Sequence, residues 1–202
     1  MIDPGRNARL CIHPHYAHRP DPVHFDDRDQ ADLYQDAVYR FARDVSVARG
    51  FRRIIDVGCG SAFKLMKYFG GYDTVGFEIE PALSYLKQTY PIRVWRSADD
   101  VEAFFGDLVI CSDVIEHLVD PTSLLRTIKA SPLQMVILST PALEILAERG
   151  QSPRLGPPDN ASHVNEWTTR EFGDFVAMHL KVVEHIVVDA TQGTQLVLAE
   201  RK

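Results

Sequence analysis

Residues Ile54-Ile-Asp-Val-Gly-Cys-Gly-Ser-Ala62 constrain this chain more than any other segment. A short β-rich run, Arg53 to Val57, passes through Gly58-Cys59-Gly60 directly into a helical pattern, Ala62 to Phe69. Glycine lets the backbone turn sharply and approach a ligand without a Cβ in the way. The first turn of the following helix presents N–H groups with no partner inside the helix. A β-turn-α unit of this kind has to be packed into a larger layered structure, and the rest of the chain supplies it. Apolar runs at Thr74–Phe77, Ile92–Trp95, Leu108–Cys111 and Met135–Leu138 predict further strands. Helical patterns at Pro81–Thr89, Val101–Phe105, Thr122–Lys129 and Thr169–His179 alternate with them. Two closing strands, Val182–Val188 and Gln195–Ala199, flank the turn-rich Asp189–Thr194 and predict a hairpin. Alternation predicts an α/β fold with a mostly parallel sheet, helices on both faces and an antiparallel pair at one edge. Before the glycine turn, Leu33, Ala37, Phe41 and Val45 recur at helical spacing, predicting a helix from Asp29 to Arg49 with Gly50 as its stop.

The chain divides into residues 1–28 and 29–202. The first part holds Pro4, Pro14, Pro20 and Pro22 and predicts an irregular extension. Its His13, His15 and His18 have metal-like spacing, but the proline-broken setting favours a substrate lid anchored by Tyr16 and Phe25. The second part reads as a single domain. A formal net charge of −6 argues against a nucleic-acid partner. The longest charge-free run, Ala130 to Leu143, is 14 residues and contains two prolines, so no segment is expected to span a bilayer. The N-terminal residues lack the apolar stretch of a signal peptide. Three scattered cysteines do not make a disulfide framework, and a reducing cytoplasm is the expected location. Cys59 and Cys111 read as small buried apolar groups.

Ligands of open α/β sheets bind beyond the carboxyl ends of the strands. That rule gathers Gly58, Gly60, Glu78, Asp99, Ser112 and Asp113 around one crevice. Glu78 closes the second strand, twenty-two residues after Asp56, where a carboxylate accepts bonds from two ribose hydroxyls. The glycine loop is too short for a pyrophosphate cradle, and Asp56 beside it would repel phosphate; a ligand with a cationic amino-acid end suits it better.

Asp56-Val-Gly-Cys-Gly60 with Glu78 resembles the first motif and ribose-binding acid of class I S-adenosylmethionine-dependent methyltransferases. Asp107-Leu-Val-Ile-Cys-Ser-Asp-Val-Ile-Glu-His-Leu-Val-Asp-Pro121 resembles their fourth-strand motif in its ubiquinone-biosynthesis-like form. The resemblance spans about residues 50–200. It implies a Rossmann-like seven-stranded sheet of order 3-2-1-4-5-7-6 with strand 7 antiparallel, and S-adenosylmethionine as cofactor. Asp56, Gly58, Gly60, Glu78, Asp99, Ser112 and Asp113 are then the cofactor-binding residues, the last two beside its methionine part. The family's third glycine is Ala62 here, and Ser97 stands where many members place an adenine-binding Asp, with Asp99 two residues on.

Glu116 and His117 follow within one turn and face the acceptor side. His117 is the candidate general base, since an imidazole near its ordinary pKa of about 6.5 can take a hydroxyl proton. Methyl transfer from a sulfonium also proceeds by positioning alone. Asp113, Glu116, His117 and His163 together form a candidate set for a divalent metal. That set resembles the one in small-RNA 3′-end methyltransferases, with Asp113 replacing the longer Glu. The competing reading has His163 packed on its loop, fixed by Glu166 and Trp167. The function expected is methylation of a hydroxyl on a small molecule or glycan, with a metal not favoured. The alternatives are an RNA 3′-end 2′-O-methyltransferase with a metal site, or a non-catalytic binding module on the same fold. Only Arg149 and Arg154 stand against Glu144, Glu148 and Asp159 in the segment 141–165, which weighs against RNA.

Overall fold

The computed structural model describes residues 3–24, 26, 34–99 and 101–202. Seven strands form one sheet: β1 (Arg53–Val57), β2 (Asp73–Glu78), β3 (Val94–Ser97), β4 (Leu108–Ser112), β5 (Met135–Pro141), β6 (Leu180–Asp189) and β7 (Thr194–Arg201). Their order is β3-β2-β1-β4-β5-β7-β6, with β7 antiparallel to both β5 and β6 and all other pairs parallel. This is the expected topology. The helices are α1 (Pro4–Arg9), α2 (Asp36–Arg49), α3 (Phe63–Phe69), α4 (Ala82–Thr89), α5 (Pro121–Ala130), α6 (Leu143–Glu148) and α7 (Thr169–His179).

Side chains alternate across a strand, so the sheet sorts its apolar residues into two cores. Ile54, Leu108, Ile110 and Ile137 face α2, α3 and α4 with Val38, Leu65 and Leu86. Ile55, Val109, Val136 and Leu138 face α5 and α7 with Leu125, Phe172 and Phe175. β4 is buried at every position, as its uniform apolarity requires. Chain order reverses between β1, which leads outward to β2 and β3, and β4, which leads the other way to β5. The crevice at that switch point is where such sheets bind ligands.

Three expectations need correction. Val101–Phe105 forms no helix; Phe104 is instead pinned, its side chain 1% exposed and its N–H donated to the Ser131 hydroxyl. α2 begins at Asp36 rather than Asp29, because Gln35 adopts φ +70° and breaks the helical path; Leu33 and residues 29–32 lie outside the described residues. Residues 1–28 are not irregular throughout. Asp3 caps α1 by accepting the Gly5 and Arg6 N–H groups, and Pro4 follows at the first position, where its missing N–H costs nothing. That Asp-Pro pair is a start signal legible in the sequence.

The segment after α1 is built into the core. Leu10, Ile12 and Tyr16 are buried with Trp167 and Phe172. The buried Asn7 donates its side-chain amide to the carbonyls of His13, Pro14 and Tyr16 at 2.9–3.0 Å. Trp167 donates its indole N–H to the Leu10 carbonyl, and the Glu166 N–H bonds the Tyr16 hydroxyl, both at 3.0 Å. Backbone bonds from Ala17, Arg19 and Val23 to Leu155, Val164 and Ala161 seat the extension on the loop after α6. Phe25, the second anchor expected of a lid, lies outside the described residues.

Candidate functional site

A cavity of about 870 Å³ opens at the carboxyl ends of β1, β2 and β4. It has two halves of different construction. The first is made by the glycine turn. Gly58 and Gly60 take φ +67° and +53°, and a Cβ on Gly58 would lie 2.3 Å from the Val114 Cγ2. The turn therefore needs glycine at position 58 for both conformation and space. Ala62 has φ +56° despite its Cβ and is 1% exposed, at the entry to α3. Glu78 lines the cavity at the end of β2. Its two oxygens accept the N–H groups of Gly60 (2.7 Å) and Ile79 (2.8 Å), so the carboxylate ties the turn to the neighbouring strand end. Asp99 lines the same wall, held by a turn with Ser97.

Ser112 and Asp113 form the floor beyond β4. The Ser139 hydroxyl bonds the Asp113 carboxylate at 2.7 Å and the Ser112 hydroxyl at 2.9 Å. Asp113 itself sits at φ +53°. Burial pushes its carboxyl up, and the Ser139 bond works against that. Asp56 is the one expected cofactor residue that does not line the cavity. It is fully buried behind the turn and accepts the Tyr39 hydroxyl at 2.8 Å, which ties β1 to α2.

The second half is assembled from distant segments. A short 3-10 turn, Ile115–His117, carries Glu116 and His117; the loop before α7 carries His163 and Glu166. The backbone N–H groups of Val164 and Asn165 bond the Glu116 carbonyl at 2.7 and 3.1 Å and lock the two together. Glu116, His117 and His163 each offer a ligand atom, and these atoms lie within 4.8 Å of one another. The two rings meet edge to face at 4.9 Å. Asp113 is not in this set, because Ser139 holds it; the four-residue metal set expected from sequence reduces to three.

Donor and acceptor chemistry fixes the tautomers. His117 Nδ1 lies 2.9 Å from the Ser162 carbonyl, which only accepts, so Nδ1 carries the proton and the neutral ring's lone pair is on Nε2. His163 Nδ1 donates likewise to Glu166 at 2.7 Å, and its Nε2 faces the Asn160 amide at 3.0 Å. Ser152 donates to the other Glu166 oxygen. Burial, then the neighbouring His163, lowers His117 to about 4, so it is neutral at pH 7 but a weaker base than the ordinary imidazole expected from the sequence. Glu116 is 0% exposed, and the groups that favour its charged form are its own backbone N–H and the Thr140 hydroxyl. Burial, then the charges of Asp113 and Glu166, push its carboxyl well above the usual range.

Sequence reasoning missed Gln35, which lines the cavity and donates to the Ser112 carbonyl at 3.1 Å, as well as Asn160 and Ser162. Nothing in local sequence announces Gln35, since only the fold brings α2's start to β4. His13, His15 and His18 form no cluster: His18 is buried between Asn7 and Asn165, whereas His13 and His15 are exposed. Pro22, Val23 and His24 of the extension line the cavity. The three cysteines are free, Cys59 and Cys111 buried. Among the described residues no helix is long and apolar enough to cross a membrane.

The model of a methyltransferase domain family matches residues 26–178. No curated protein sequence matches the chain significantly. Solved structures share its fold at low identity. Magnesium protoporphyrin IX methyltransferase from Synechocystis, with bound S-adenosylhomocysteine, is 16% identical with a TM-score of 0.63, covering 83% of this chain and 84% of that one. The methyltransferase domain of bacterial CtHen1 is 20% identical with a TM-score of 0.64, covering 84% of this chain and 100% of that one. The Burkholderia thailandensis 1,6-didemethyltoxoflavin N1-methyltransferase is 19% identical with a TM-score of 0.62, covering 86% of this chain and 83% of that one.

Proposed function

The chain belongs to the methyltransferase-domain family, and from that premise we propose that it transfers the methyl group of S-adenosylmethionine to a hydroxyl of a small molecule or glycan. The family and cofactor make it a class I S-adenosylmethionine-dependent methyltransferase. The choice of a hydroxyl rests on one observation: His117, with its Nε2 lone pair, stands beside Glu116 and His163 in the wall of the same cavity as Gly58 and Glu78. No lysine or arginine lines that cavity among the described residues, which favours an acceptor that is uncharged at its reacting end.

In the proposed mechanism, Gly58 and Gly60 leave room for the cofactor's methionine part, and Glu78 accepts its ribose hydroxyls. Asp99 would lie toward the adenine, and Ser112 and Asp113 toward the methionine part. When bound, S-adenosylmethionine would supply the methyl to the acceptor oxygen, the C–O bond forming as the C–S bond breaks and the sulfur leaving as a neutral thioether. The hydroxyl proton passes to His117 Nε2, the ring position that the Ser162 bond leaves with its lone pair. Glu166 and Asn160 hold the His163 ring in place beside it.

A second reading is favoured by Glu116. A carboxylate buried this completely beside the charges of Asp113 and Glu166 is costly unless it is protonated or faces a cation. One carboxylate and two imidazoles suit a divalent ion, with His163 Nε2 exchanging its bond from the Asn160 amide for the metal. Glu116, His117 and His163 would hold it, and it would lower the pKa of a hydroxyl bound beside it. Labelled cofactor incubated with a panel of hydroxylated small molecules and glycans, with and without EDTA, tests both readings. Label in an O-methyl product supports the proposal, and label only on nitrogen or carbon rejects it. Chelator sensitivity restored by Mg²⁺ or Mn²⁺ selects the second reading.

A further inference from the structure

A second cavity, of about 470 Å³, lies between α1, the start of α5 and the end of α7. Its chemistry is the opposite of the first. Arg6, Arg9 and Arg126 line it with His179, and Asp120 is the only acid among its lining residues. Asp120 is already committed to capping α5, where it accepts the Ser123 N–H. Arg6 is held in place by bonds from Nη2 to the Val119 carbonyl (3.1 Å) and the Asn165 side-chain oxygen (3.3 Å). Arg9 and Arg126 are exposed and make no ion pair among the described residues. At the His179 end the cations prevail: after burial, the charges of Arg126, Lys129 and Lys202 hold the imidazole below its ordinary value, while Asp3 and Asp120 face Arg6 at the other end. Asp120 also lines the large cavity, so the two are neighbours across one loop, Leu118–Asp120.

From this juxtaposition we propose that the cleft of Arg6, Arg9 and Arg126 binds a phosphate group carried by the methyl acceptor, whose uncharged reacting end enters the large cavity. Guanidinium groups present planar paired donors that match phosphate oxygens, and three around one cleft exceed what its single acid can neutralise. Arg6 and Arg9 come from α1, which precedes the residues matched by the family model. The extension would thus set acceptor choice for this chain in particular. The acceptor part of this inference rests on the hydroxyl-transfer reading; the phosphate site does not.

The test uses the full chain, labelled with ¹⁵N, and titrates it with inorganic phosphate, ribose 5-phosphate and a short single-stranded RNA. Saturable shifts confined to residues 6–10, 119–126 and 178–179 are expected. The double variant Arg9→Glu, Arg126→Glu should weaken phosphate by at least about tenfold, because it reverses two exposed charges at one anion. S-adenosylhomocysteine affinity should be unchanged, which shows that the variant is folded and leaves the cofactor assignment untouched. Ribose 5-phosphate shifting residues at both cavities would support a small phosphorylated acceptor. RNA that binds tightly and loses affinity in the double variant would support the site with a polymeric source of phosphate. Shifts that never saturate, or that the double variant leaves intact, would overturn the proposal. A single Arg9→Ala variant with weakened phosphate binding serves if the double variant misfolds.

Discussion

The two halves of the large cavity are encoded differently. The cofactor half is a backbone object: two glycines at positive φ, a helix start and a carboxylate that bonds the turn's own N–H groups. The turn and its carboxylate lie within residues 58–78 and depend on conformations few residue types adopt. The acceptor half is a side-chain object. Its groups come from the extension, the turn after β4 and the loop before α7, joined by bonds such as Val164 to Glu116 and Glu166 to Tyr16. A backbone site tolerates little substitution and leaves a short motif. A side-chain site can be refitted residue by residue on the same frame, as expected where relatives share a cofactor but differ in acceptor.

The comparison breaks most completely at Gly58. Gly58→Val should abolish S-adenosylmethionine binding in calorimetry, since its Cβ meets Val114 at 2.3 Å and the branched side chain disfavours φ +67°. Retained affinity would mean that the turn is not the cofactor's seat. Val114 stands two residues before Glu116, so the same variant should also disturb the acceptor half, whereas acceptor-side changes should spare the cofactor.

Next in size is His117→Ala, which should lower kcat by about 10²–10⁴ with cofactor affinity unchanged. Under the general-base reading His163→Ala costs less, and EDTA does nothing. If Glu116, His117 and His163 act as one unit, their single losses should be similar and non-additive, with EDTA reproducing them. Equal and mild effects throughout would leave acceptor positioning as the source of catalysis.

These differences also explain what was legible beforehand. The alternation of strands and helices and the glycine turn were readable because such patterns are local, whereas the sheet order came only with the resemblance to class I methyltransferases. One error came from tertiary context: Val101–Phe105 has helical composition, but Phe104 is captured by the core and by Ser131. Asp56 sits beside the motif glycines, and its bond from Tyr39, in a helix seventeen residues earlier, was not legible. On the acceptor side the residues Glu116, His117 and His163 were identifiable by type, but their mutual distance was not, since the bonds that set it span about fifty positions of sequence.

Glu78→Ala should have an intermediate effect, weakening S-adenosylmethionine by about 1–3 kcal/mol as a charged acceptor for two hydroxyls is removed. The loss has a second component here, because Glu78 also accepts the Gly60 and Ile79 N–H groups. Glu78→Gln separates them: its amide oxygen can still accept one bond, so it should recover part of the affinity. Calorimetric affinity equal to wild type in both variants would remove Glu78 from the site.

The smallest effect is the most informative about how the cofactor half is held. Two of its non-glycine residues sit in the left-handed region: Ala62, the N-cap of α3, at φ +56° and Asp113, just after β4, at φ +53°. That conformation costs an L-residue about 1–2 kcal/mol. Asp113 is compensated by its bond to Ser139, and a short polar side chain tolerates the region. Ala62 has only its methyl, buried at 1% exposure, worth about 0.8 kcal/mol. Ala62→Gly therefore exchanges a larger strain for a smaller contact, and should stabilise the fold by a net of about 0–1 kcal/mol in denaturant unfolding. Asp113→Gly relieves the same strain but gives up a buried bond, so it should be neutral or destabilising. If Ala62→Gly instead costs more than about 1 kcal/mol, the methyl's packing outweighs the backbone strain, and the cofactor half is held by side chains after all.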